Sequence, residues 1–234
     1  MICGTGTTAI VEGLGGVPIA VEPLPQRGIA IVLVDDTLLI VNKPSGLLSV
    51  PGRGSDKADC VSARVQAAFP EALVVHRLDM ETSGLMVFAR SPDAQRGLNR
   101  AFEQRLVDKY YEAIVSGIVA DDHGTINLPL ICDWPNRPRQ IVDHAVGKPS
   151  TTHFTVLDRD HARQRTRVGL TPVTGRSHQL RVHLASLGHA IIGDSLYSAE
   201  AQPEEQRLLL HAARIVFPHP ATHQPVACAS VVPF

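Results

Sequence analysis

The fold of this chain is decided by the stretch Val75-His76-Arg77-Leu78-Asp79-Met80-Glu81-Thr82-Ser83-Gly84-Leu85-Met86-Val87. An apolar pair precedes a polar cluster and an apolar run follows it, a pattern that predicts a turn between two strands. Asp79 has an arginine two positions before it and hydroxyls and a glycine shortly after it, surroundings that favour an ionised carboxylate. We therefore select Asp79 as the candidate nucleophile.

An isolated Arg-x-Asp at a strand end is more often a structural ion pair or a turn-forming motif than a catalytic group. The longer pattern favours catalysis. From His76 to Gly84 the chain reads His-Arg-Leu-Asp-x-x-Thr-Ser-Gly, which resembles the central motif of the RluA family of pseudouridine synthases.

Four further segments resemble motifs of the same family. They are Asn42-Lys43-Pro44-Ser45-Gly46, the Tyr-x-Ala at Tyr111, Gly175-Arg176-Ser177-His178-Gln179-Leu180-Arg181-Val182-His183, and the apolar run Leu208 to Phe217. Three of them also have a simpler interpretation: the first as a turn with a solvated lysine, Tyr111 as a core residue, and Arg181 as the partner of a buried acid.

The resemblance implies roles for individual residues. Asp79 would attack the ribose C1′, or alternatively add to uracil C6, while Arg77 would occupy the space left by the flipped base. Tyr111 would stack on the base or assist proton transfer, and Arg181 would form a salt bridge to Asp79. A larger set is expected to contact substrate or RNA: His76, Leu78, Thr82, Asn42, Lys43, Arg176, His178 and Leu210.

Composition places the chain among ordinary globular proteins of one or two domains, with 234 residues, 44% of them hydrophobic and 19% charged. The four cysteines are widely spaced without a Cys-x-x-Cys pair, which fits reduced, buried thiols in a cytoplasmic protein. His219 and His223 have the spacing of zinc ligands, but the prolines around them exclude a helix, so we expect no metal site.

The formal net charge of −1 does not by itself indicate a nucleic-acid-binding protein. The charge is unevenly distributed, however. Between Arg137 and Arg181 nine basic residues stand against three acidic ones, a local charge of +6. By count alone this segment is equally compatible with a face that binds RNA and with a solvated strand face.

The chain is expected to be an α+β protein with a long mixed, mainly antiparallel sheet flanked by helices and loops, the architecture that the resemblance implies. Residues 1–28 are rich in glycine and small side chains, and we predict a flexible extension there. Residues 29–234 would form a single catalytic domain, without a separate S4-like RNA-binding domain.

Local signals predict a helix that starts after Ser91 and runs to about Arg105, and another that is capped by Ser177 and ends at Gly188. The proline-rich segment Leu128 to Pro138 contains the sole tryptophan and is expected to be a rigid irregular loop. It resembles the corresponding segment of family members that act on both 23S ribosomal RNA and transfer RNA.

The resemblance therefore implies an isomerase that converts uridine to pseudouridine in 23S rRNA and in the tRNA anticodon stem-loop. This reaction consumes nothing, so no cofactor is expected. We expect a cytoplasmic monomer without a membrane segment or an obligate protein partner. Two alternatives stay open: a non-catalytic RNA-binding or ribosome-assembly module, and a hydrolase, which the lack of a second positioned acid disfavours.

Overall fold

A computed structural model of the chain describes residues 9–12, 28–54, 57–198 and 207–234. The chain divides into two compact units, Met1–Lys109 with Ala212–Pro233, and Tyr110–His211 with Phe234. The architecture is α+β, as predicted. The single catalytic domain that the sequence indicated for residues 29–234 stays a prediction.

The first unit contains a sheet in which β2, β3, β5 and β12 lie side by side, β13 pairs with both β12 and β1, and β4 pairs with β5. These strands are β1 (Ala9–Glu12), β2 (Ala30–Val34), β3 (Leu38–Lys43), β4 (Leu73–Val74), β5 (Ser83–Ala89), β12 (Leu210–Pro218) and β13 (Pro225–Ser230). The helices of this unit are α1 (Val61–Gln66) and α2 (Pro92–Glu103).

Helices cover the central strands of this unit from both sides. Leu38 and Ile40 of β3 pack in one core cluster with Leu98 of α2, whereas Leu39 and Val41 pack in another with Val61 of α1. Because successive side chains of a strand point to opposite faces, a strand that is buried on both faces needs an unbroken apolar run. This explains the continuous apolar sequence of β3 and of β5, whose seven residues are all buried.

The second unit contains the antiparallel strands β6 (Asp108–Ser116), β11 (Arg165–Pro172), β10 (Thr151–Asp160) and β7 (His123–Asn127), side by side in that order. Leu180 and Leu184 of α3 (Gln179–Ser186) pack in its core. A separate hairpin joins β8 (Leu130–Cys132) to β9 (Gln140–Val142) through a 3-10 turn at Trp134–Asn136.

The helix that was predicted after Ser91 is confirmed. Ser91 Oγ accepts a hydrogen bond from the Ala94 N–H, and Pro92 occupies the first turn. The start of α3 differs from the prediction, since its N-cap is His178 in a left-handed conformation (φ 53°) and not Ser177. No side-chain hydrogen bond caps this end, so the capping rule selected the serine one residue before the observed N-cap.

Two other expectations need correction. Within the predicted flexible extension, Ala9–Glu12 forms β1 and pairs with β13 from Ala9↔Ser230 to Glu12↔Ala227, since the exposed edge of a strand favours the addition of another. Residues 1–8 and 13–27 lie outside the described residues. The segment Leu128 to Pro138 is not wholly irregular, because it contains β8, which pairs with β9 just after the segment ends.

Candidate active site

Asp79 lies in the loop between β4 and β5, and the ends of this loop are fixed by the main chain. The Thr82 N–H donates to the Asp79 carbonyl (3.1 Å), which closes a turn directly after the candidate nucleophile. At Gly84 the backbone has φ 118°, and an added Cβ would lie 2.4 Å from the Ala212 carbonyl oxygen. Only glycine fits there, because any side chain would collide with the main chain of β12.

Lys43 stabilises this loop through hydrogen bonds to its backbone. Its side chain is fully buried, and its Nζ donates hydrogen bonds to the carbonyl oxygens of Pro44 (2.8 Å), Met80 (2.7 Å) and Thr82 (2.8 Å). The carbonyls of Met80 and Thr82 belong to the turn that begins at Asp79. Three donated bonds require the protonated ammonium group. The expectation that Lys43 contacts RNA is therefore corrected: it is enclosed by protein and stabilises the Asp79 loop.

Two serines of the same segment also bind the loop. Ser49 Oγ donates to the Leu78 carbonyl (2.6 Å) and accepts from the Leu78 N–H (3.0 Å), so it fixes the residue before Asp79 through both backbone groups. Ser45 Oγ donates to the Glu81 carbonyl (2.6 Å). The two sequence motifs around Lys43 and Asp79 are thus joined by hydrogen bonds. Five of these bonds connect the side chains of Lys43, Ser45 and Ser49 to the backbone of the Asp79 loop, which has no regular structure.

His76 is fixed as a neutral side chain. Its Nε2 accepts a hydrogen bond from the Val87 N–H (3.0 Å), and its ring lies 5.0 Å from the ring of Phe102. Burial, with a smaller contribution from the positive charge of Lys109, lowers the pKa of His76 from 6.5 to about 4. An imidazole that accepts a backbone bond orients the loop, so a purely structural role explains this residue.

The remaining predicted residues of this unit differ in exposure. Arg77 is exposed beside Asp79, which is itself half-buried, and Met80 is 45% exposed. Leu78 and Thr82 are buried, whereas Asn42 is half-buried within β3. The alternation of exposed and buried residues from Arg77 to Met80 means that the loop presents Arg77 outward while Leu78 anchors it.

In the second unit, Arg181 forms a two-bond ion pair with Asp194. Arg181 Nε lies 2.7 Å from Asp194 Oδ2, and Nη2 lies 2.7 Å from Oδ1. The side chains are only 3% and 0% exposed. Asp194 Oδ1 also accepts the N–H groups of Leu196 (2.9 Å) and Tyr197 (3.1 Å), so the carboxylate is fixed to the main chain as well as to the arginine.

Tyr197 joins this ion pair to its surroundings. The Arg181 guanidinium carbon lies 5.1 Å from the centre of the Tyr197 ring. The Tyr197 hydroxyl accepts the Gln140 N–H (2.8 Å) from β9 and lies 2.7 Å from His178 Nδ1. Asp194 and Tyr197 were not selected from the sequence. Their spacing after Gly193, Asp-x-x-Tyr, was the available signal, but it follows no general rule of catalytic chemistry.

Gln179 organises the start of α3, another role that the sequence did not reveal. Its Oε1 accepts from the Thr174 hydroxyl (2.8 Å) and from the Arg176 N–H (3.0 Å). Its Nε2 donates to the Thr151 carbonyl and to Thr152 Oγ1, both at 3.0 Å. All four hydrogen-bonding positions of this buried amide are used. The predicted Arg176 is exposed next to it, with its backbone held in place.

Tyr111 and Leu210 also belong to this part of the chain. Tyr111 is half-buried on β6 opposite Leu170, and Leu210 is 2% exposed in the core cluster of the second unit. A wall function for Leu210 is compatible with this burial, and so is simple packing. The adjacent Glu112 accepts two hydrogen bonds from Arg167, at 2.8 and 2.6 Å.

The local charge of +6 overestimates the positive charge available to a ligand. At least four of the nine basic residues between 137 and 181 form ion pairs: Arg159 with Asp122, Arg163 with Asp160, Arg167 with Glu112, and Arg181 with Asp194. Three of these acids lie outside the counted segment, so a count along the chain could not include them. Arg137, Arg139 and Arg176 are exposed.

The described part of the chain contains no cluster of three or more His, Cys, Asp or Glu side chains that could hold a metal ion. His219 instead contacts Asp35 (3.0 Å) and accepts the N–H groups of Ala221 and Thr222 at the end of β12. Within the same described ranges, every helix is too short or too polar to cross a bilayer.

Comparison with known proteins assigns the class. A family model for RNA pseudouridylate synthases matches residues 37–186, which include Asp79, Tyr111 and Arg181. The chain is 55% identical over 197 residues to a protein of Vibrio vulnificus named dual-specificity RNA pseudouridine synthase RluA, covering 82% of this chain and 79% of the relative. The protein of the same name from Escherichia coli K12 is 49% identical over 202 residues, with 86% and 91% coverage.

The fold agrees with these sequence matches. The solved structure of human RNA pseudouridylate synthase domain containing 1 has a TM-score of 0.73 and 28% identity, covering 90% of this chain and 85% of that one. The solved structure of human RNA pseudouridylate synthase domain containing 4 has a TM-score of 0.70 and 25% identity, covering 87% of this chain and 88% of that one. The chain belongs to the RluA family of RNA pseudouridine synthases, which are isomerases.

Proposed function

We propose that this enzyme isomerises specific uridines in both 23S rRNA and the tRNA anticodon stem-loop, with Asp79 as the nucleophile. The observation that carries the proposal is the Asp79 turn, in which a half-buried carboxylate follows an exposed arginine on a loop fixed by Lys43 and two serines. A fixed loop favours attack because the carboxylate needs little reorganisation to reach the reacting carbon. The dual target is inferred from the relatives that carry this name.

The reaction breaks the N-glycosidic bond, rotates the uracil and joins it to the ribose through carbon. In one route the Asp79 carboxylate forms a bond to ribose C1′ while the electron pair of the glycosidic bond leaves with N1 of uracil. Attack by uracil C5 on C1′ then releases the carboxylate, and the C5 proton is transferred to solvent or N1. In the other route Asp79 adds to uracil C6 first. Both routes conserve atoms and regenerate the enzyme.

The target base must leave the RNA stack before either route begins, at a cost of a few kcal/mol. Arg77 is well placed to fill the vacated position because it is exposed directly beside the Asp79 turn. We propose that Leu78 or Leu210 walls the pocket, and that Tyr111 stacks on the flipped base or assists the transfer of its proton. A dry pocket would keep water from intercepting the intermediate.

For Arg181 we propose that it supports the ionised form of Asp79. The guanidinium group offers its Nε and Nη2 edge to Asp194. A second carboxylate would therefore have to approach the other edge, which has the same fork geometry. His178, Asn42 and Arg176 are proposed as further contacts to the RNA or its base.

The test is tritium release from RNA that carries 5-³H-uridine, with a tRNA anticodon stem-loop and a 23S rRNA fragment as separate substrates. We expect release from both, and its loss in Asp79→Asn while RNA binding stays within a few fold. Asp108→Asn, an exposed acid in the same unit, is the matched control. Release from one substrate would retain the chemistry and remove dual specificity.

Two other results would redirect the proposal. Full activity of Asp79→Asn would remove Asp79 from the nucleophile role. RNA binding without tritium release by the wild-type enzyme would instead indicate a non-catalytic module. We further propose a cytoplasmic monomer, for which sedimentation of the purified chain, with and without RNA, is the direct measurement of the monomeric state.

A further inference from the structure

The β8–β9 hairpin exposes apolar surface. Trp134 is 65% exposed, Ile141 on β9 is 41% exposed, and Val146 just beyond it is 68% exposed. We call these three side chains, together with Arg137, the hairpin surface. Several large apolar side chains that are exposed on one short segment favour a binding site there.

The tryptophan sits on a fixed support. Within its turn the Asn136 N–H donates to the Asp133 carbonyl (3.0 Å), and the Asn136 amide donates to the Asp133 carboxylate (3.0 Å). Across the hairpin the Asp133 N–H donates to the Arg139 carbonyl (2.9 Å). Because these bonds order the backbone before any ligand arrives, binding at Trp134 would cost little conformational entropy.

The chemistry around the indole indicates the ligand. The Arg137 guanidinium carbon lies 4.8 Å from the centre of the Trp134 ring, and Arg137 Nε donates to the Trp134 carbonyl (3.1 Å), which fixes the cation beside the ring. Arg139 also lies within this hairpin and is exposed. Aromatic rings with adjacent cations suit a ligand that has both a flat ring and a negative charge.

The nearby acids do not cancel this arrangement. The Asp133 carboxylate accepts the Asn136 amide, and Asp143 accepts the N–H groups of Ala145 (2.8 Å) and Val146 (3.0 Å). Backbone hydrogen bonds from Val146 and Ala145 lower the pKa of Asp143, which remains ionised and bound in its own turn. Arg137 lies beside the Trp134 ring and Arg139 beside the Tyr197 ring (5.6 Å), while Asp143 lies beyond the end of β9.

We propose that the hairpin surface binds an unpaired RNA nucleotide, with the base stacked on Trp134 and its phosphate beside Arg137. The inference rests on the proposed function and names a contact outside the Asp79 turn. Charge complementarity favours RNA over an apolar protein partner, because a partner seated on Trp134 would have to cover Arg137 as well.

The hairpin is also connected to Arg181 within its own unit. The Gln140 N–H of β9 donates to the Tyr197 hydroxyl, and the Tyr197 ring lies against the Arg181 guanidinium. A nucleotide on the hairpin surface would therefore bind on an element whose backbone is connected to the Arg181 and Asp194 pair through Tyr197.

The chain offers a direct probe, since Trp134 is its sole tryptophan. Intrinsic fluorescence of the full-length Asp79→Asn protein is titrated with a tRNA anticodon stem-loop, and in parallel with a blunt RNA duplex. Anisotropy of labelled RNA records binding in the same samples. We expect quenching of Trp134 along the binding isotherm of the stem-loop, with weak quenching by the duplex.

Variants test the energetic contribution. Trp134→Leu is expected to weaken stem-loop binding by about fivefold to 150-fold, the range typical of a stacked base that loses its aromatic partner, whereas Trp134→Phe retains most of the affinity. Leu157→Ala removes an exposed apolar side chain, 45% exposed, from β10 of the same unit and is expected to leave affinity unchanged.

Binding of the stem-loop without any change in Trp134 emission would overturn the proposal, as would native affinity of Trp134→Leu. Emission that shifts with protein concentration but not with RNA would identify an interface between two copies instead. The outcomes are separable from those of the proposed function: tritium release by the wild type without quenching removes only the hairpin surface, and quenching without release removes only the catalytic proposal.

Discussion

Replacement of Asp194 by asparagine should destabilise the protein far more than the loss of an exposed ion pair. Asp194 accepts four hydrogen bonds, two from Arg181 and two from backbone N–H groups. An asparagine oxygen can keep the two backbone bonds at the Oδ1 position. Its amide would then face Arg181 Nε, where a donor meets a donor, and the buried guanidinium would lose the negative charge of Asp194.

Removal of one partner of a buried ion pair costs about 3–5 kcal/mol. For a chain of this size each kcal/mol lowers Tm by about 2–4 °C, so Asp194→Asn should lower Tm by roughly 6–20 °C. The matched control is Asp122→Asn, which breaks the pair with Arg159 in the same unit. Asp122 is 78% exposed there, and pairs of this kind contribute about 0–1 kcal/mol.

The assay is thermal unfolding of both variants beside the wild type, with tritium release measured well below the transition. We expect Asp194→Asn to lose activity even when folded, because Arg181 loses the carboxylate that orients it, whereas Asp122→Asn keeps native activity. If both variants unfold at the same temperature, the Asp194 pair does not have the energy that its burial implies. Native activity of folded Asp194→Asn would refute the positioning role.

Three further predictions concern the Asp79 loop. In chemical denaturation, Gly84→Ala should lower the free energy of unfolding by about 2–6 kcal/mol, since a strained φ of 118° and a collision with β12 each contribute about 1–3 kcal/mol. Gly46→Ala, with φ 79° and open space around the new Cβ, should lower it by about 1–2 kcal/mol. Lys43→Met should remove one hydrogen-bond donor from the Thr82 carbonyl and one from the Met80 carbonyl, which keeps the Gly46 N–H (3.0 Å). We expect this change to reduce kcat more than RNA affinity, and unchanged kcat would contradict the supporting role. The pKa of His76 is about 4 in the folded protein and 6.5 in the unfolded chain, so its contribution to the free energy of unfolding is complete above pH 6.5 and is lost as the pH falls toward 4. This contribution amounts to about 3 kcal/mol at most. Urea unfolding across this pH range should therefore show a smaller pH dependence in His76→Gln than in the wild type.

The sequence predicted those parts of the fold that depend on local patterns. The apolar run after Gly84 indicated the strand β5, and Ser91-Pro92 located the start of α2 to the residue. The start of α3 was placed one residue too early, at Ser177, because the N-cap His178 adopts a left-handed conformation that no capping rule predicts.

The candidate site shows a similar division. Motif resemblance selected Asp79 and Arg181, but it assigned Lys43 to RNA, whereas the residue is buried under the Asp79 loop. Sequence spacing cannot reveal that Lys43 donates a hydrogen bond to the carbonyl of Met80, which lies 37 positions further along the chain. Asp194 was not selected, since its pairing with Arg181 depends on tertiary structure.

The enclosed ammonium group of Lys43 also makes it a reporter of loop opening. The chain has four lysines, and Lys57 is exposed on the segment before α1. A water-soluble acylating reagent would label Lys57 at once, but it would reach Lys43 only after the Asp79 loop had separated from the amine. The ratio of the two labelling rates, read by peptide mass spectrometry, would thus measure how often the catalytic loop opens in the native protein, and whether bound RNA keeps it closed.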